Sequence, residues 1–345
     1  MKDSLDFFPR LYYSMNQKQN LPDFVNETIR TEVTVLILTV TLNTSIDKLY
    51  LMESIQPQTV MRVKEVHNTA GGKGLNVSRV AAKLGEPVTA MGFTGGFNGQ
   101  YLESLLTSPH IRCAFTHVAG ETRSCINCWD LSCNRSTEYL EPGEPVETGD
   151  VARFLNDFIA ELPEADVVTV SGSMPKGVPE DLYCDLIRRC KAAGVPVLVD
   201  TSGERLVAAA KETPTLIKPN TDEIVQLTGK SFSGEAEAVR SLQELYQGGI
   251  PNVVLSLGAE GALLVCREGV FRGRPPKITP RNTVGCGDSM LAGLAVAFAR
   301  HLSVAEGFRM ALAVSAASAL GLLTGDFDPA EYERLYPRIS MDQLA

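Results

Sequence analysis

The segment Asn282-Thr283-Val284-Gly285-Cys286-Gly287-Asp288-Ser289 runs directly into the apolar stretch Met290-Leu291-Ala292-Gly293-Leu294-Ala295. Two glycines allow a tight turn and close approach to a ligand. The helix that opens behind them begins with N–H groups that lack intrahelical partners, which makes the segment an anion site. A carboxylate there has two readings: Asp288 is a helix N-cap, or a base held beside an anion to accept the proton of an attacking hydroxyl. A second glycine signature far upstream, Ala70-Gly71-Gly72-Lys73-Gly74-Leu75-Asn76-Val77, also precedes a helical pattern and favours the second reading. Two such junctions suit a ligand pair with phosphates at one end and many hydroxyls at the other. No window reads G-x-x-x-x-G-K-[ST], and the spacing of Gly285, Gly287 and Gly293 does not fit G-x-G-x-x-G. The implied chemistry is phosphoryl transfer on neither a Walker loop nor a dinucleotide fold.

The elements that must hold these junctions are legible as an alternation. Strand-like runs at Val88 to Phe93, Asp166 to Ser171, Val195 to Asp200, Thr215 to Lys218 and Val253 to Leu257 are separated by helical patterns such as Gly74 to Leu84, Pro179 to Ala193 and Gly234 to Gln247. That rhythm predicts βαβ units and a parallel sheet, with ligands at the carboxyl ends of its strands. Ser303 and Glu306 have capping-box spacing ahead of an alanine-rich helix from about Val304 to Leu320. Two regions break the rhythm. Residues 48–68 and 112–140 carry period-2 patterns with polar positions facing out, as in strands of a small sheet exposed on one side.

Composition sets outer bounds. The 345 residues suit one large α/β domain over 33–345. A formal net charge of −9 argues against nucleic acid or an anionic membrane surface as the main partner. Eight cysteines without a secretory signal predict free thiols in a reducing cytoplasm. The apolar run Val33 to Leu42 is about half the ~20 residues a membrane span needs and reads as a buried strand. Residues 1–32 mix an aromatic cluster (Phe7, Phe8, Tyr12, Tyr13) with polar residues and have no signal-peptide h-region, and are expected to form a mobile extension. Cys125-x-x-Cys128 has metal-ligand spacing, but alternate strand positions face apart and no second ligand pair follows, so no metal is expected there.

Taken in order, Thr41-Leu42-Asn43 with Asp47, Gly71-Gly72-Lys73-Gly74 with Asn76, Gly120-Glu121-Thr122-Arg123, Ser171-Gly172-Ser173-Met174-Pro175-Lys176-Gly177, Asp200-Thr201-Ser202-Gly203, Lys218-Pro219-Asn220 with Glu223, Ser256-Leu257-Gly258 with Gly261, and Gly285 to Asp288 resemble the ribokinase/PfkB sugar kinase family. The resemblance runs from about Val35 to the C-terminus. It is strongest to the phosphosugar branch that holds tagatose-6-phosphate kinase and 1-phosphofructokinase, and the wording from Thr69 to Arg79 leans to the former. It implies a three-layer α/β/α core with a mostly parallel sheet, plus a small β-sheet lid that often doubles as a homodimer contact. It implies ATP and Mg²⁺ as cofactors and a ketohexose monophosphate as acceptor. Asp288 would be the general base, with the backbone of Gly285, Cys286 and Gly287 as anion hole. Asp47, Gly72 and Asn76 would hold sugar hydroxyls, while Lys73, Arg62 and Arg123 would clamp the phosphate already on the sugar. Lys218, Asn220, Ser256, Gly258 and Gly261 would line the nucleotide cleft, and Asn220 with Glu223 would hold hydrated Mg²⁺.

Two departures from the family's pattern stand out. Thr44 replaces a usual proline, which is expected to loosen the opening turn. Cys286 replaces a usual alanine at a helix N-terminus, a place that lowers a thiol's pKa, although a small buried filler is the plainer role. The competing readings are a kinase of an unphosphorylated sugar or nucleoside, and a catalytically silent sugar-phosphate sensor of the same fold.

Overall fold

A computed structural model describes residues 35–344. The extension expected at 1–32 lies outside the described residues. In chain order the strands are β1 (Ile37–Thr41), β2 (Ser45–Met52), β3 (Glu65–Gly71), β4 (Val88–Gly95), β5 (Ile111–Cys113), β6 (Thr116–Val118), β7 (Arg123–Asp130), β8 (Arg135–Leu140), β9 (Val167–Ser171), β10 (Val197–Asp200), β11 (Leu216–Ile217), β12 (Asn252–Ser256), β13 (Ala262–Cys266), β14 (Gly269–Arg274) and β15 (Ser340–Gln343). The α-helices are α1 (Lys73–Lys83), α2 (Gly96–Ser104), α3 (Thr148–Glu161), α4 (Leu182–Ala193), α5 (Gly203–Lys211), α6 (Thr221–Thr228), α7 (Glu235–Gln247), α8 (Cys286–Ala299), α9 (Val304–Leu320) and α10 (Pro329–Leu335).

The largest sheet of the described residues runs β15-β14-β13-β12-β11-β10-β9-β1-β4-β5 with β6 also on β4, eleven strands in all. From β5 through β12 every pairing is parallel, and β13 to β15 return antiparallel. β1 shows why the sheet is buried on both faces. Ile37 packs into one cluster with Val77, Leu291 and Phe308, whereas Leu38 and Val40 pack into another with Phe154, Leu186 and Leu242. Parallel strands covered by helices on both sides read as continuous apolar runs, and this one is buried throughout. The buried hydroxyls of Thr39 and Ser78 on α1 pair with each other at 2.7 Å, which removes the cost of placing them there.

α8 is apolar nearly all round and buried from Asp288 to Ala297, so it can only be an interior helix. It lies close against α9 through small residues: a Cβ on Gly293 would stand 2.7 Å from Ala311 Cα. The capping box expected for α9 is present, with Ser303 and Glu306 bonding reciprocally. Truncating a core residue of this pair, such as the fully buried Leu291, would cost about 2–5 kcal/mol. Among the described residues no helix is long and apolar enough to cross a membrane.

The small sheet has the order β3-β2-β7-β8. Its strands occupy only parts of the two regions read as lid. Residues 53–64 form the irregular link between β2 and β3, and residues 111–118 are not lid at all. β5 and β6 pair with β4 at the edge of the main sheet, where Phe115 is buried in a side cluster with Leu102 and Ala90. An edge strand with one covered face has the same alternating pattern as a lid strand, so periodicity cannot separate them.

Candidate active site

The small sheet aims one row of side chains at the main sheet. Asp47 on β2 stands opposite Thr69 on β3 and Cys125 on β7, and residues on the same face repeat every second position as Ser45, Asp47 and Leu49. Ser45 Oγ donates to Asp47 Oδ1 at 2.7 Å, and burial raises the carboxyl's pKa above the ordinary value. The turn leading into β2 is tied rather than loosened, because Thr44 Oγ1 donates to the Phe93 carbonyl at 2.5 Å.

Opposite this row, the carboxyl ends of the parallel strands supply charge. Asp200 closes β10 and is 1% exposed; Lys73 Nζ lies 3.2 Å from its Oδ1 and Lys218 Nζ 3.1 Å from its Oδ2. Burial alone would raise the Asp200 pKa, but the two ammonium groups outweigh it and hold the carboxyl below the usual range. Asp200 in turn pushes the Lys73 ammonium well above its ordinary pKa, so Lys73 stays charged beside the cavity. Asp288 sits in the first turn of α8, whose N-cap Gly285 has φ 80°. It accepts a hydrogen bond from Asn76 Nδ2 at 2.7 Å. Burial, then the charge of Asp200, pushes its pKa up to about 6, against the opposing pull of Lys73, Asn76 and Lys218. A carboxylate poised there is ionised at neutral pH yet basic enough to take a proton.

These groups share a cavity of about 440 Å³, lined among others by Asp47, Gly72, Lys73, Asn76, Arg123, Lys218, Asn220, Glu223, Ser256, Gly285, Gly287 and Asp288. Four residues expected at the site are not on its wall. Arg62 is exposed in the irregular stretch between β2 and β3. Gly258 and Gly261 shape the turn between β12 and β13: Gly261 has φ 90°, and a Cβ there would meet the Gly273 carbonyl at 2.2 Å. Cys286 turns its thiol inward toward the Asn282 carbonyl at 3.8 Å, and burial, then the Asp288 charge, raises its pKa to about 12. The filler role therefore describes this cysteine, since desolvation outweighs the helix N-terminus. Asn220 and Glu223 form a reciprocal capping box at the start of α6, Asn220 Oδ1 accepting from Asp222 N and Glu223 N, and Glu223 Oε2 accepting from Asn220 N at 2.9 Å. The box leaves Glu223 Oε1 and the Asn220 amide nitrogen uncommitted, and both residues face the cavity.

Asp200 is the principal residue that sequence reasoning left without a role. Its signal was an acid at the end of a predicted strand, but the meaning came only from two lysines reaching it from other elements. A smaller recess of about 190 Å³ shares Gly72, Lys73 and Arg123 with the main cavity and is otherwise lined by Thr41, Asn43, Ser171, Gly172, Ser173, Thr201 and Ser202. The hydroxyls of Thr41 and Ser171 are buried without a hydrogen-bond partner among the described residues. Arg123 is fixed at its rim by donating to the carbonyls of Glu141 at 2.9 Å and Asn43 at 3.2 Å.

A mostly parallel α/β sheet with a small β-sheet lid, and a buried acid at a glycine-rich helix start, fit a class of phosphotransferase that acts on an alcohol group. Residues 40–330 match the pfkB family of carbohydrate kinases, and the chain belongs to that family. Among solved structures it is similar to phosphofructokinase-2 from Escherichia coli in complex with fructose-6-phosphate, at 28% identity over 88% of this chain and 99% of that one, with a TM-score of 0.80. A protein from Thermotoga maritima described as a possible 1-phosphofructokinase gives 28% identity over 90% and 100%, with a TM-score of 0.79. Arabidopsis thaliana ribokinase, complexed with ribose and ATP, shares the fold at 20% identity over 88% and 98%, with a TM-score of 0.69.

Proposed function

We propose that this chain transfers the γ-phosphoryl group of ATP to a hydroxyl of a ketohexose monophosphate, of the tagatose-6-phosphate or fructose-phosphate kind, giving the bisphosphate. The observation that carries the reading is the recess beside Lys73 and Arg123. Two cations at a recess also lined by Ser173, Thr201 and Ser202 suit a phosphate group, which brings several acceptor oxygens and a negative charge that a neutral sugar lacks. Arg62 takes no part in this clamp.

With the sugar's phosphate in the recess, its hydroxyls meet Asp47 and Asn76, and the reacting hydroxyl comes to Asp288. That carboxylate takes the proton as the oxygen attacks. The N–H groups of Gly285 and Gly287 and the ammonium groups of Lys73 and Lys218 face the charge that develops on the transferring group, while the Cys286 N–H donates to the Thr283 carbonyl. Glu223 fits Mg²⁺ as part of a partial shell, since one free carboxylate oxygen and an acid-lined cavity match an ion that keeps most of its waters and is otherwise held by substrate phosphates; Asn220 does not fit as a ligand, because its amide oxygen already accepts from Asp222 N and Glu223 N and leaves only a donor. When bound, the ion neutralises phosphate charge. The lid row carrying Asp47 and Cys125 excludes water, which favours the sugar as acceptor. The opposite lid face exposes Val66 and Tyr139 at 52% and 60%, and we propose that a second copy of the chain covers it, to be checked by sedimentation equilibrium.

ATP consumption over a panel of tagatose-6-phosphate, fructose-6-phosphate, fructose-1-phosphate and their unphosphorylated parents tests the reading. Turnover confined to phosphorylated ketohexoses is expected. Equal or better turnover on the free sugars would overturn it.

A further inference from the structure

Arg79, on α1 one turn after Asn76, is a guanidinium in the interior whose role is not explained by packing. Its Nη2 donates to Asn76 Oδ1 at 2.6 Å, and its Nε is buried with no partner among the described residues. The acids near it are Asp47, Asp326 and Asp288, which act on it through space, while Asp326 is itself bonded by Lys83. It is not on the wall of the main cavity. Its hydrogen bond to Asn76 is the contact through which this half-buried side chain reaches the site.

What it fixes is the sense of an amide. An arginine can only donate, so the Asn76 oxygen must face Arg79, and the Asn76 NH₂ must then face the carboxylate on its other side. That carboxylate is Asp288, whose Oδ2 accepts at 2.7 Å. Gly325, with φ 59°, locks the arrangement from the loop between α9 and α10. A Cβ there would fall 2.7 Å from Asn76 Cα, 2.8 Å from its Oδ1 and 2.9 Å from Arg79 Nη2, so the loop backbone seats directly on the bond.

We propose that Arg79 is a positioning residue that acts through Asn76: it locks the amide so that its NH₂ always faces Asp288 Oδ2, leaving Oδ1 as the oxygen that receives the proton. The inference rests on the reading of Asp288 as the base. Without the lock the amide can turn its oxygen to the carboxylate, which withdraws a bond from the charged form and sets two acceptors face to face. The other groups around Asp288 are Asp200, Lys73, Lys218 and Cys286, and Arg79 also acts on it directly through space, a contribution that the Asn76→Ala background below separates from the amide lock.

The test combines Arg79→Met, which keeps length without a donor, with Arg79→Lys, which restores one. Arg79→Met is expected to lower kcat roughly 10- to 100-fold with the KM for ATP unchanged, and to move the acid limb of the kcat profile to higher pH. Arg79→Lys is expected to recover most of both. In an Asn76→Ala background Arg79→Met is expected to add little. A carbon-13 carboxyl titration of the full-length protein, with the Asp288 signal assigned through Asp288→Asn, is expected to show a higher pKa in Arg79→Met. That signal is read without turnover, so it remains decisive even if Asp288→Asn proves active and the base reading falls. An equal loss with and without Asn76, an unmoved Asp288 titration, or a change confined to the KM for the sugar phosphate would overturn the proposal. Should Arg79→Met not fold, Arg79→Gln, too short to keep the bond, carries the same readouts.

Discussion

At the α1 junction, a Cβ on Gly71 would stand 2.1 Å from Asp47 Cγ, and one on Gly74 would stand 2.1 Å from Thr41 Oγ1 and 2.8 Å from the Val40 carbonyl. At the α8 junction, the nearest atom to such a Cβ is 3.3 Å away: Thr324 Cβ for Gly285 and Lys218 Nζ for Gly287. Two similar glycine signatures therefore serve different ends. The first lets the protein pack against itself, bringing α1 tight against β1 and β2 so that Lys73 and Asn76 enter the cavity at fixed positions. The second keeps space beside helix N–H groups, where a ligand anion can come close. Their side chains differ accordingly, with a cation and an amide from the first junction and the proposed base from the second, joined by the Asn76 to Asp288 bond.

The largest expected effect falls on the second junction. Asp288→Asn is expected to lower turnover ~10²–10⁴-fold while ATP binding, measured calorimetrically, is retained. Near-normal turnover would remove the base from α8 and leave that junction only an anion loop. The phosphate clamp is next, since it draws on the first junction through Lys73. Arg123→Ala is expected to weaken apparent affinity for the sugar phosphate roughly 10- to 150-fold, with the free sugar little affected, as charge-assisted bonds are worth ~1.5–3 kcal/mol. Equal losses on both sugars in steady-state kinetics would make Arg123 a lid strut.

The contrast in space is tested by paired alanine variants. Gly74→Ala must displace backbone and is expected to destabilise the fold by about 1–3 kcal/mol or more in urea unfolding, whereas Gly287→Ala is expected to keep its unfolding midpoint and lose turnover instead. If both variants unfold alike, the two junctions are not distinct in kind. The pH dependence follows from the raised pKa of Asp288. Asp288 as the proposed base works only when deprotonated, so kcat is expected to be level above about 6 and to fall as pH drops through that value. A limb near the ordinary carboxyl value would mean that the buried charge is compensated in the complex. The smallest effect is expected at Arg62: Arg62→Ala is predicted to leave KM for the sugar phosphate unchanged, and a large rise would bring the β2–β3 link into the site.

The layered fold and both junctions were legible in the sequence because their causes are local. Alternating apolar runs set strands and helices, glycine spacing set the turns, and a capping box set the start of α9. The lid was legible in part, as β2, β3, β7 and β8, while β5 and β6 carried the same pattern and joined the main sheet instead. The Cys286 thiol could not be judged from its helix position, because burial decided its pKa.

Read alone, the sequence determined the family, the sheet and the acid at the head of α8. Only the tertiary structure decided which charges meet. Lys73 and Asp200 stand 127 positions apart in the chain, and Asn76 and Asp288 stand 212 apart. Their pairing depends on which strand ends lie side by side in the sheet, and no local pattern encodes that. The same reason places Arg123 at a recess and Arg62 in solvent: a side chain's sequence neighbours fix its conformation, but the pocket it can reach is fixed by elements far away in the chain.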